Sequence, residues 1–406
     1  MIYYILWGLS FVGLVLGIFW LSILFINTKR KISPRKLPFV SIIVPAHNEE
    51  KTIGKTINSI LNLDYPIKKI EIILVNDESR DKTVEIAKRY KQVKIINNKH
   101  RGIGKASAVN SGLRVAKGEF FGIVDADSEV SRNSLKKMMG YFSSRRTGAV
   151  ISAIKVSNSG RLYTKLQKLE YSFTALAREL MSRIDTLHFS HGVLSVFRTD
   201  VIKDLGYFDE NNLTEDLEIA MRLKAHHYNI IMAPNAITYT NVPATFKSLW
   251  NQRIRWYRGL IHNLKKYKGI IFNPKYGFFG TFQIPINIIT LVSIVLLFVL
   301  FIYQLITFIW NYAYKIYLLK FGIFSGFEIP SIKFWLLNFD VKFLFPIIIA
   351  ILINIFFLYK AHKIIGEKVK FFNFLLVFYF MLYPIITMFH WIVAIFQEMA
   401  HTRKKW

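Results

Sequence analysis

Two aspartates, Asp125 and Asp127, directly follow a run of apolar residues in a position that suits metal binding. The run Phe120–Val124 predicts a buried strand, so alternate residues just past its end present two carboxylates in the same region. Hard oxygen ligands at this spacing suit Mg²⁺ or Mn²⁺ bridging a diphosphate. An Asx turn with capping at Ser128 is the alternative interpretation of the same residues.

Polar residues also follow two earlier predicted strands, at residues 44–50 and 75–79. Carboxylates at strand ends can accept hydrogen bonds from a base N–H group or from ribose hydroxyls, which favours a nucleoside site. The candidate nucleotide-binding residues of these two segments are Pro45, His47, Glu49 and Asp77. Helix capping is the alternative function of this region. The candidate capping residues are Asn48, Ser79 and Asp81.

Residues 100–105, with the sequence His-Arg-Gly-Ile-Gly-Lys, form a basic, glycine-containing turn before a predicted helix that contains Asn110. The glycines allow the backbone to approach a diphosphate closely, while Lys105 supplies a positive charge. The spacing differs from that of a Walker motif, and no residue after the lysine is suited to hold magnesium. A solvated turn is the alternative interpretation.

The segment Leu213-Thr214-Glu215-Asp216-Leu217 opens a predicted amphipathic helix. A carboxylate beside an apolar interface has a raised proton affinity, which suits a general base that deprotonates an acceptor hydroxyl. Asp216 and Glu215 are the candidates for that role. A carboxylate near a helix start can also simply stabilise the helix dipole.

A basic and aromatic cluster, Gln252-Arg253-Ile254-Arg255-Trp256, lies within a second amphipathic stretch. An arginine provides a planar fork for pyrophosphate oxygens, and a tryptophan provides a flat face for a sugar ring. Gln252, Arg255 and Trp256 are therefore catalytic-site candidates, and Arg253 is a candidate for binding the donor. All of them could instead be interfacial anchors, because Arg and Trp favour the depth of lipid headgroups.

The predicted secondary structure places the acidic motifs at strand ends. Short β-branched runs alternate with amphipathic stretches, which indicates βαβ units and a Rossmann-like, mostly parallel sheet. The predicted elements are a strand at 40–44, a helix at 53–61, a strand at 70–75, a helix at 83–90 and a strand at 93–96. Ligands bind beyond the carboxyl ends of the strands in such sheets. Residues 161–241 show a mixed pattern, and 245–268 predicts one or two amphipathic helices.

The composition predicts that much of the chain lies in lipid, since 52% of the residues are hydrophobic and 16% are aromatic. Residues 1–26 are long enough to cross a hydrocarbon core of about 30 Å. Basic residues follow this run rather than precede it, which favours a retained anchor over a cleaved signal peptide. The basic stretch at 29–36 places the next segment in the cytoplasm by the positive-inside rule.

Three further apolar segments follow, at roughly 279–310, 343–359 and 371–396. The predicted organisation is a transmembrane helix at 1–27, a cytoplasmic α/β domain at 37–241, amphipathic interface helices at 242–275 and a transmembrane region of about three spans at 276–406. Four spans would put the tail outside, whereas Arg403, Lys404 and Lys405 favour the cytoplasm. One segment that does not span would remove this conflict, and the long segment at 279–310 could contain an interfacial piece.

The formal net charge of +28 is concentrated beside the apolar segments, and no nucleic-acid-binding motif accompanies it. Anionic lipid headgroups are therefore the expected partner rather than nucleic acid. The chain contains no cysteine, which excludes disulfides, thiolate catalysis and cysteine-ligated zinc.

Taken in order, Asp77, Asp125-Ala126-Asp127, Thr214-Glu215-Asp216 and the 252–256 cluster closely resemble the motifs of family 2 glycosyltransferases with the GT-A fold. Among these the chain is similar to membrane-embedded synthases of hyaluronan, chitin, poly-N-acetylglucosamine and cellulose. The resemblance covers roughly residues 39–268 and the flanking spans. It implies an α/β GT-A domain joined to transmembrane helices and amphipathic interface helices.

The resemblance implies a role for each motif. Asp77 would contact the nucleoside, Asp125 and Asp127 would bind ribose and metal, and Asp216 would be the catalytic base. The residues expected near the diphosphate or the acceptor sugar are Lys105, His191, Gly192, Gln252, Arg255 and Trp256. The implied mechanism is a single inverting displacement on a UDP-sugar, in which a metal ion stabilises the departing diphosphate.

Three functions remain open from the sequence. The first is extension of a β-linked polysaccharide, for which the 252–256 cluster is typical. The second is transfer of one sugar to a lipid acceptor such as a polyprenyl phosphate or a glycolipid. The third is a non-catalytic membrane scaffold, against which the intact Asp125, Asp127 and Asp216 argue. The short C-terminal region, with no evident regulatory domain, argues against cellulose synthase proper.

Overall fold

The computed structural model describes residues 2–26, 37–98, 104–320, 341–366, 374–400 and 402. These residues form a large sheet with the strands β1 Val40–Ala46, β2 Ile70–Asn76, β3 Val93–Asn97, β4 Phe120–Val124, β5 Glu129–Val130, β6 Thr147–Val156, β7 Val193–Arg198 and β8 Asn229–Thr240. The α-helices are α1 Ile2–Leu24, α2 Ile53–Leu61, α3 Thr83–Lys88, α4 Lys105–Val115, α5 Ser134–Met139, α6 Leu162–Arg183, α7 Thr199–Asp204, α8 Glu215–Ala225, α9 Phe246–Lys266, α10 Ile284–Leu319, α11 Val341–Ile365, α12 Phe374–Met381 and α13 Tyr383–Met399.

The strand order is β3-β2-β1-β4-β7-β6-β8-β5. Strands β3, β2, β1 and β4 are parallel, and β7 runs antiparallel to both β4 and β6. Strand β8 is parallel to β6, and β5 is antiparallel to β8. The predicted α/β fold with a mostly parallel sheet is confirmed. The chain passes from β1 to β2 on one side, whereas β4 lies on the other, so β1 and β4 flank the position where a ligand is expected.

Strand β1 shows why these residues form the centre of the sheet. Its alternating side chains enter two hydrophobic clusters, with Ile42 on the face that packs against α2 and Ile43 on the face that packs against α4. A Cβ at Gly112 in α4 would lie 2.7 Å from the Ile43 side chain. The glycine therefore allows α4 to pack closely on the sheet and fixes the helix that begins at Lys105.

The mixed region at 161–241 contains the long helix α6, then β7, α7, α8 and β8. One side of α6 is buried through Ala175, Leu176 and Leu180, but charged residues interrupt the pattern on its other sides. This mixture explains why the periodicity did not predict the helix. The amphipathic stretch that follows forms one long helix, α9, and then two short 3₁₀ turns, Lys268–Ile270 and Pro274–Tyr276.

Four helical segments among the described residues are long and apolar enough to cross a membrane: Tyr4–Leu24, Phe279–Leu319, Phe345–Ile365 and Phe374–Met399. They correspond to the four apolar segments of the sequence. The second begins with a π-helical turn and continues nine residues past the predicted end at Trp310. The fourth is divided at Leu382 into α12 and α13.

The chain separates into two compact units. One contains Met1–Phe25 and Ile286–Phe357, which include most of α1, α10 and α11. The other contains Ile26–Pro285 and Leu358–Trp406, and so holds the sheet, α9, α12 and α13. All the motifs that the sequence singled out for chemistry fall in the second unit.

Candidate active site

The two aspartates lie at the carboxyl end of β4, as predicted from the sequence. The backbone N–H of Asp125 donates to Gly192 O at 2.9 Å, which ties the end of β4 to the residue just before β7. The N–H of Ser128 donates to Asp125 O at 3.0 Å, and Ser128 Oγ donates to Asp127 Oδ1 at 3.1 Å. The bond from the Ser128 N–H to Asp125 O closes a backbone turn and is not the Asx turn considered from the sequence, in which a carboxylate would accept from a backbone N–H. Asp125 and Asp127 both stay partly exposed.

The absence of a side chain at Gly192 leaves room for the Asp125 carboxylate and Lys105 Nζ to come together. A Cβ at this position would collide with the Asp125 carboxylate and with Lys105 Nζ. Because even a methyl group does not fit, the contact between β4, β7 and α4 requires glycine here.

Lys105 connects two of the predicted motifs. It begins α4 directly after Gly104, whose φ of +94° is a conformation that favours glycine. Its Nζ forms an ion pair with Asp125 and lies 3.9 Å from Glu215 Oε1. Burial alone would lower the pKa of Lys105, but the nearby Asp125 and Glu215 outweigh it and raise the pKa. Residues 100–103 of the basic turn lie outside the described residues.

The carboxylates of the site carry more negative charge than Lys105 compensates. Burial, followed by the charges of Asp125 and Glu49, raises the pKa of Asp127 to about 6. Burial, followed by the charge of Asp216, raises the pKa of Glu215 to about 7. Groups with these pKa values bind a proton or a cation readily near neutral pH.

The residues of this site fit a divalent cation. Asp125 and Asp127 supply hard oxygen atoms, and the raised pKa of Asp127 indicates a surplus of negative charge that a cation would neutralise. Within the described parts of the chain, no group of three or more His, Asp or Glu side chains is arranged to hold a metal. A cation here would therefore take its remaining ligands from a bound diphosphate or from water.

The Thr214-Glu215-Asp216 segment is positioned by contact with α9. A Cβ at Gly259 of α9 would collide with the Thr214 side chain, so the two backbones approach closely. Asn263 Nδ2 donates to Thr214 Oγ1 at 3.2 Å. This docking brings Glu215 within electrostatic reach of Arg255, which acts to lower the pKa of Glu215 against the stronger effect of burial.

Asp216 is held at its backbone while its carboxylate stays near the positive groups of the site. Ser190 Oγ donates to Asp216 O at 2.6 Å, and the N–H of Leu217 donates to Asp216 Oδ1 at 2.8 Å. Lys105 and Arg178 both interact electrostatically with Asp216. Asp216 is therefore next to the pocket that contains Lys105 and Glu215.

The 252–256 cluster divides into two parts. Arg253 is 5% exposed, its Nη2 lies 2.7 Å from Glu170 Oε2, and its guanidinium carbon lies 4.5 Å from the Trp256 ring centre. Arg255 is only half-buried, and no described residue forms a hydrogen bond or ion pair with it. Gln252 is half-buried, and its Oε1 has no partner among the described residues. The guanidinium of Arg253 is thus engaged inside the protein, and that of Arg255 is available.

Asp77 lies at the end of β2 and is only 8% exposed. Asn98 Nδ2 donates to Asp77 Oδ1 at 2.8 Å, and His47 Nδ1 lies 2.5 Å from Asp77 O. Pro45 is half-buried within β1, so it shapes the same edge of the sheet. Sequence analysis missed Asn98, although it follows β3 as Asp77 follows β2, and the rule for strand ends would have found it.

The loop around Glu49 has features of both functions that the sequence left open, namely nucleotide binding and helix capping. Glu49 Oε2 accepts a hydrogen bond from Thr52 Oγ1 at 2.6 Å, yet Glu49 still influences Asp127 electrostatically. Asp81 accepts from the first backbone N–H of α3, although the residue at the N-cap position is Lys82. Asn48 instead accepts from the N–H of Arg80 at 2.8 Å, so it joins two loops and does not cap α2.

Two further groups reach the site, namely Arg178, which had no sequence signal of its own, and His191, which the resemblance had implied. Arg178, in the middle of α6, interacts electrostatically with Asp216 and His191, and burial lowers its pKa. No hydrogen bond or ion pair joins Arg178 to any described residue. Burial, then the charge of Arg178, lowers the pKa of His191 to about 3, so its ring is neutral, and its Nε2 lies 3.0 Å from Ser152 O.

Comparisons with known proteins agree with this arrangement. Residues 41–206 match the protein-family model described as glycosyl transferase family 2. The probable glycosyltransferase YdaM of Bacillus subtilis is 33% identical over 266 residues, which cover 61% of this chain and 63% of the relative. The poly-beta-1,6-N-acetyl-D-glucosamine synthase of Staphylococcus epidermidis is 32% identical over 228 residues, which cover 54% of each chain. The chain thus spans less than two thirds of these relatives.

A solved structure of a mannosyltransferase from Pyrobaculum calidifontis, in complex with GDP-Man and Mn²⁺, shares the fold. The TM-score is 0.64, with 19% identity over 98% of each chain. At this identity the likeness concerns the fold alone. Together with the sheet topology, it confirms the predicted GT-A fold.

Proposed function

We propose that this chain, whose residues 41–206 match the family model described as glycosyl transferase family 2, is a membrane-bound, inverting glycosyltransferase. It transfers a sugar from a UDP-sugar to a growing β-linked polysaccharide of the hyaluronan, chitin or poly-N-acetylglucosamine type. The relatives named as poly-beta-1,6-N-acetyl-D-glucosamine synthases support the choice of a polysaccharide product. The basic residues at 29–36 support a cytoplasmic position for the domain.

The observation that carries this proposal is the position of Lys105 between Asp125 and Glu215. The pair of aspartates at β4 suits the donor diphosphate, whereas the start of α8 carries the candidate base. Because one side chain contacts the first motif and approaches the second, the donor and the acceptor hydroxyl can meet in a single pocket. The aspartate pair at 125–127 and the segment 214–216 are far apart along the chain, so their spacing gave no direct indication that they lie in one pocket.

The donor is held by groups at the ends of the parallel strands. Asp77, fixed by Asn98, accepts hydrogen bonds from the nucleoside, and Lys105 and Arg255 attract the diphosphate. A divalent cation, Mg²⁺ or Mn²⁺, held by Asp125 and Asp127 would supply positive charge that stabilises the leaving diphosphate.

The acceptor hydroxyl loses its proton to Asp216. Its oxygen forms a bond to C1 of the sugar as the bond from C1 to the diphosphate breaks, and the configuration at C1 inverts. Glu215 lies beside Asp216, and its raised pKa places a second carboxyl group that titrates near neutral pH next to the base. Trp256 provides an apolar face for the acceptor sugar.

A lipid acceptor is the second candidate, and Arg178 favours it. A partly exposed guanidinium near Asp216 that has no ion pair among the described residues would be stabilised by an anionic acceptor group such as a polyprenyl phosphate. The polysaccharide reaction has no acceptor anion for this arginine, except where the polymer itself contains acidic sugars.

The test is to incubate the protein, purified in detergent, with Mg²⁺ or Mn²⁺ and each common UDP-sugar. The radiolabelled products are then separated by size and by extraction into organic solvent. A long, water-soluble ladder with β-linkages supports the polysaccharide synthase and identifies its sugar. One product that extracts into organic solvent when a polyprenyl phosphate is added would replace it with the lipid reaction. No release of UDP with any donor or acceptor would contradict both.

A further inference from the structure

Helix α9 lies along the α/β domain from one end to the other. Just before it, Asn158 Nδ2 donates to Val242 O at 2.7 Å. At its end, Lys266 Nζ donates to Glu218 Oε1 at 2.7 Å, and Glu218 belongs to α8. Because both ends of α9 are bonded to the domain, this helix cannot cross a hydrocarbon core of about 30 Å.

The fourth apolar segment is attached to the same region at its beginning. The ring of Tyr379 in α12 is stacked on Phe173 of α6, with ring centres 5.8 Å apart. At the start of α13, Tyr383 Oη donates to Glu170 Oε2 at 2.9 Å, and Glu170 also belongs to α6. Helix α6 returns to the sheet at both ends, so these contacts hold the start of α13 beside the domain.

The middle and the end of α13 are attached as well. The rings of Trp391 and Tyr257 are stacked with centres 4.0 Å apart. Glu398 Oε2 lies 3.3 Å from Arg258 Nε, and Arg258 Nη2 donates to Thr402 O at 2.9 Å. Both aromatic and charged contacts thus join α13 to α9 along its whole length.

Residues at or next to one end of each of the other apolar helices, α1, α10 and α11, also contact the domain. Ile26 O, just after α1, accepts from Arg183 Nη1 at 3.3 Å. The Phe279 ring, just before α10, lies 5.4 Å from the His188 ring, and Ile365 at the end of α11 is buried in the core of the domain. The residues next to α1 and α10, and the last residue of α11, are therefore attached to the domain.

We propose that α12 and α13 lie in the membrane interface, with the outer face of α13 in contact with lipid, and that, of the four apolar segments among the described residues, those formed by α1, α10 and α11 cross the bilayer. The outer face is apolar, since Ile385 and Phe396 are 39% and 65% exposed. The polar residues of α13 face the protein instead, as Tyr383 and Glu398 show. This distribution suits the boundary between headgroups and acyl chains.

Three spans also remove the conflict in the charge distribution. In this arrangement the chain crosses the bilayer twice after the α/β domain, through α10 and α11, and so returns to the side of the domain. Arg403, Lys404 and Lys405 then lie on the same side as the basic stretch at 29–36, as the positive-inside rule favours. The sequence had placed the possible interfacial piece at 279–310, whereas the contacts identify the last segment. The inference does not depend on which sugar is transferred.

The test measures how deep two residues of α13 lie in the bilayer. The chain has no cysteine, so single cysteines can be spin-labelled at Ile385→Cys and Phe396→Cys, which are eleven residues apart. The matched control is Ile348→Cys and Tyr359→Cys, which are equally spaced on α11 and are also exposed. Eleven helical residues extend roughly 16 Å. Collisional relaxation by oxygen and a nickel chelate in liposomes then reports the depth of each label.

We expect the two α13 labels to lie at the same shallow depth within a few ångströms, and the α11 labels to differ by most of the helix length. A similarly large difference for the α13 pair would overturn the proposal. Retained binding of UDP by each variant shows that the label has not unfolded the protein.

A second measurement tests the side of the membrane. Thr402→Cys and Lys91→Cys, the latter exposed on the domain, are treated with a membrane-impermeant maleimide in intact cells and in permeabilised cells. The proposal expects both to react only after permeabilisation, and Ser331→Cys, in the segment between α10 and α11, to react in intact cells. Reaction of Thr402→Cys on the side opposite to Lys91→Cys would contradict it. A cysteine appended after Trp406 provides the same test if Thr402→Cys fails to fold.

Discussion

The strand-end site and the contact between α6, α9 and α13 contain the same kinds of charged groups but arrange them in opposite ways. In the site, Asp125, Asp127 and Glu215 face each other with Lys105 as the compensating contact, and two of their pKa values rise towards neutrality. In the helix contact, Arg253 pairs with Glu170 and Arg258 pairs with Glu398. A surplus of charge thus suits the binding of a ligand, whereas paired charges stabilise the structure.

The comparison matters because one sequence motif contributes to both regions. Arg253 and Arg255 are two residues apart on α9, so their side chains point in different directions. Arg253 is paired in the helix contact, and Arg255 is directed towards the site. Breaking a buried ion pair costs stability, whereas removing an unpaired cation at a site costs affinity for its anion. The following predictions separate these two effects.

Asp216→Asn has the largest expected effect. If Asp216 takes the acceptor proton, the amide lowers kcat by about 10²–10⁴-fold. Binding of the UDP-sugar, measured by calorimetry, should change less than threefold. Asp204→Asn, on the exposed surface, is the matched control and should keep full activity. Loss of donor binding in Asp216→Asn would instead assign Asp216 to the nucleotide site.

Arg255→Ala should lower the catalytic efficiency, whereas Arg253→Ala should lower the stability. Loss of a charge-assisted hydrogen bond to the diphosphate lowers kcat/KM by about 10–100-fold, and we expect this for Arg255→Ala with an unchanged Tm. Arg253→Ala removes the positive charge beside Glu170, which keeps only the hydrogen bond from Tyr383 Oη, and should lower the free energy of unfolding by about 3 kcal/mol. Thermal unfolding in detergent and donor kinetics distinguish the two variants. Equal losses of Tm in both would mean that Arg255 also supports the structure.

Binding of Mn²⁺ should weaken as the pH falls below the pKa of Asp127, about 6. A protonated Asp127 must lose its proton before it can bind the cation, so the apparent affinity falls about tenfold per pH unit below 6. The binding is measured by Mn²⁺ electron paramagnetic resonance between pH 5 and pH 8. An affinity that does not change over this range would exclude Asp127 as a ligand. Asp204→Asn again serves as the control.

Glu215→Gln has the smallest expected effect, and it acts on stability. Burial raises the pKa of Glu215 to about 7 in the folded protein, above its ordinary value of 4.5. The folded state therefore holds this proton more tightly than the unfolded state, so the favourable contribution is present below about pH 4.5 and is lost as the pH rises through 7. Glu215→Gln should raise the Tm by a few degrees at pH 8 and have little effect at pH 5. A lower Tm at pH 8 would show that the pair with Lys105 dominates.

Local patterns predicted much of the α/β domain and the positions of several candidate site residues at its strand ends. Strands β1, β2 and β4 were found because their alternating or continuous apolar residues lie close together in sequence, and Asp77, Asp125 and Asp127 follow them directly. Helix α6 was missed because its buried side is interrupted by charged residues. Arg178 was missed with it, since a single arginine in a long mixed helix has no pattern.

The sequence by itself determined the class of the fold, the order of the motifs and the four apolar segments, because strand periodicity, turn chemistry and segment length depend on neighbouring residues. Only the tertiary structure decided that Lys105 joins Asp125 to Glu215, that Arg253 pairs with Glu170, and that α13 is attached to α9 along its length. Those contacts join residues from 20 to 140 positions apart. Whether such residues meet depends on how the sheet and its helices pack, which no local pattern contains.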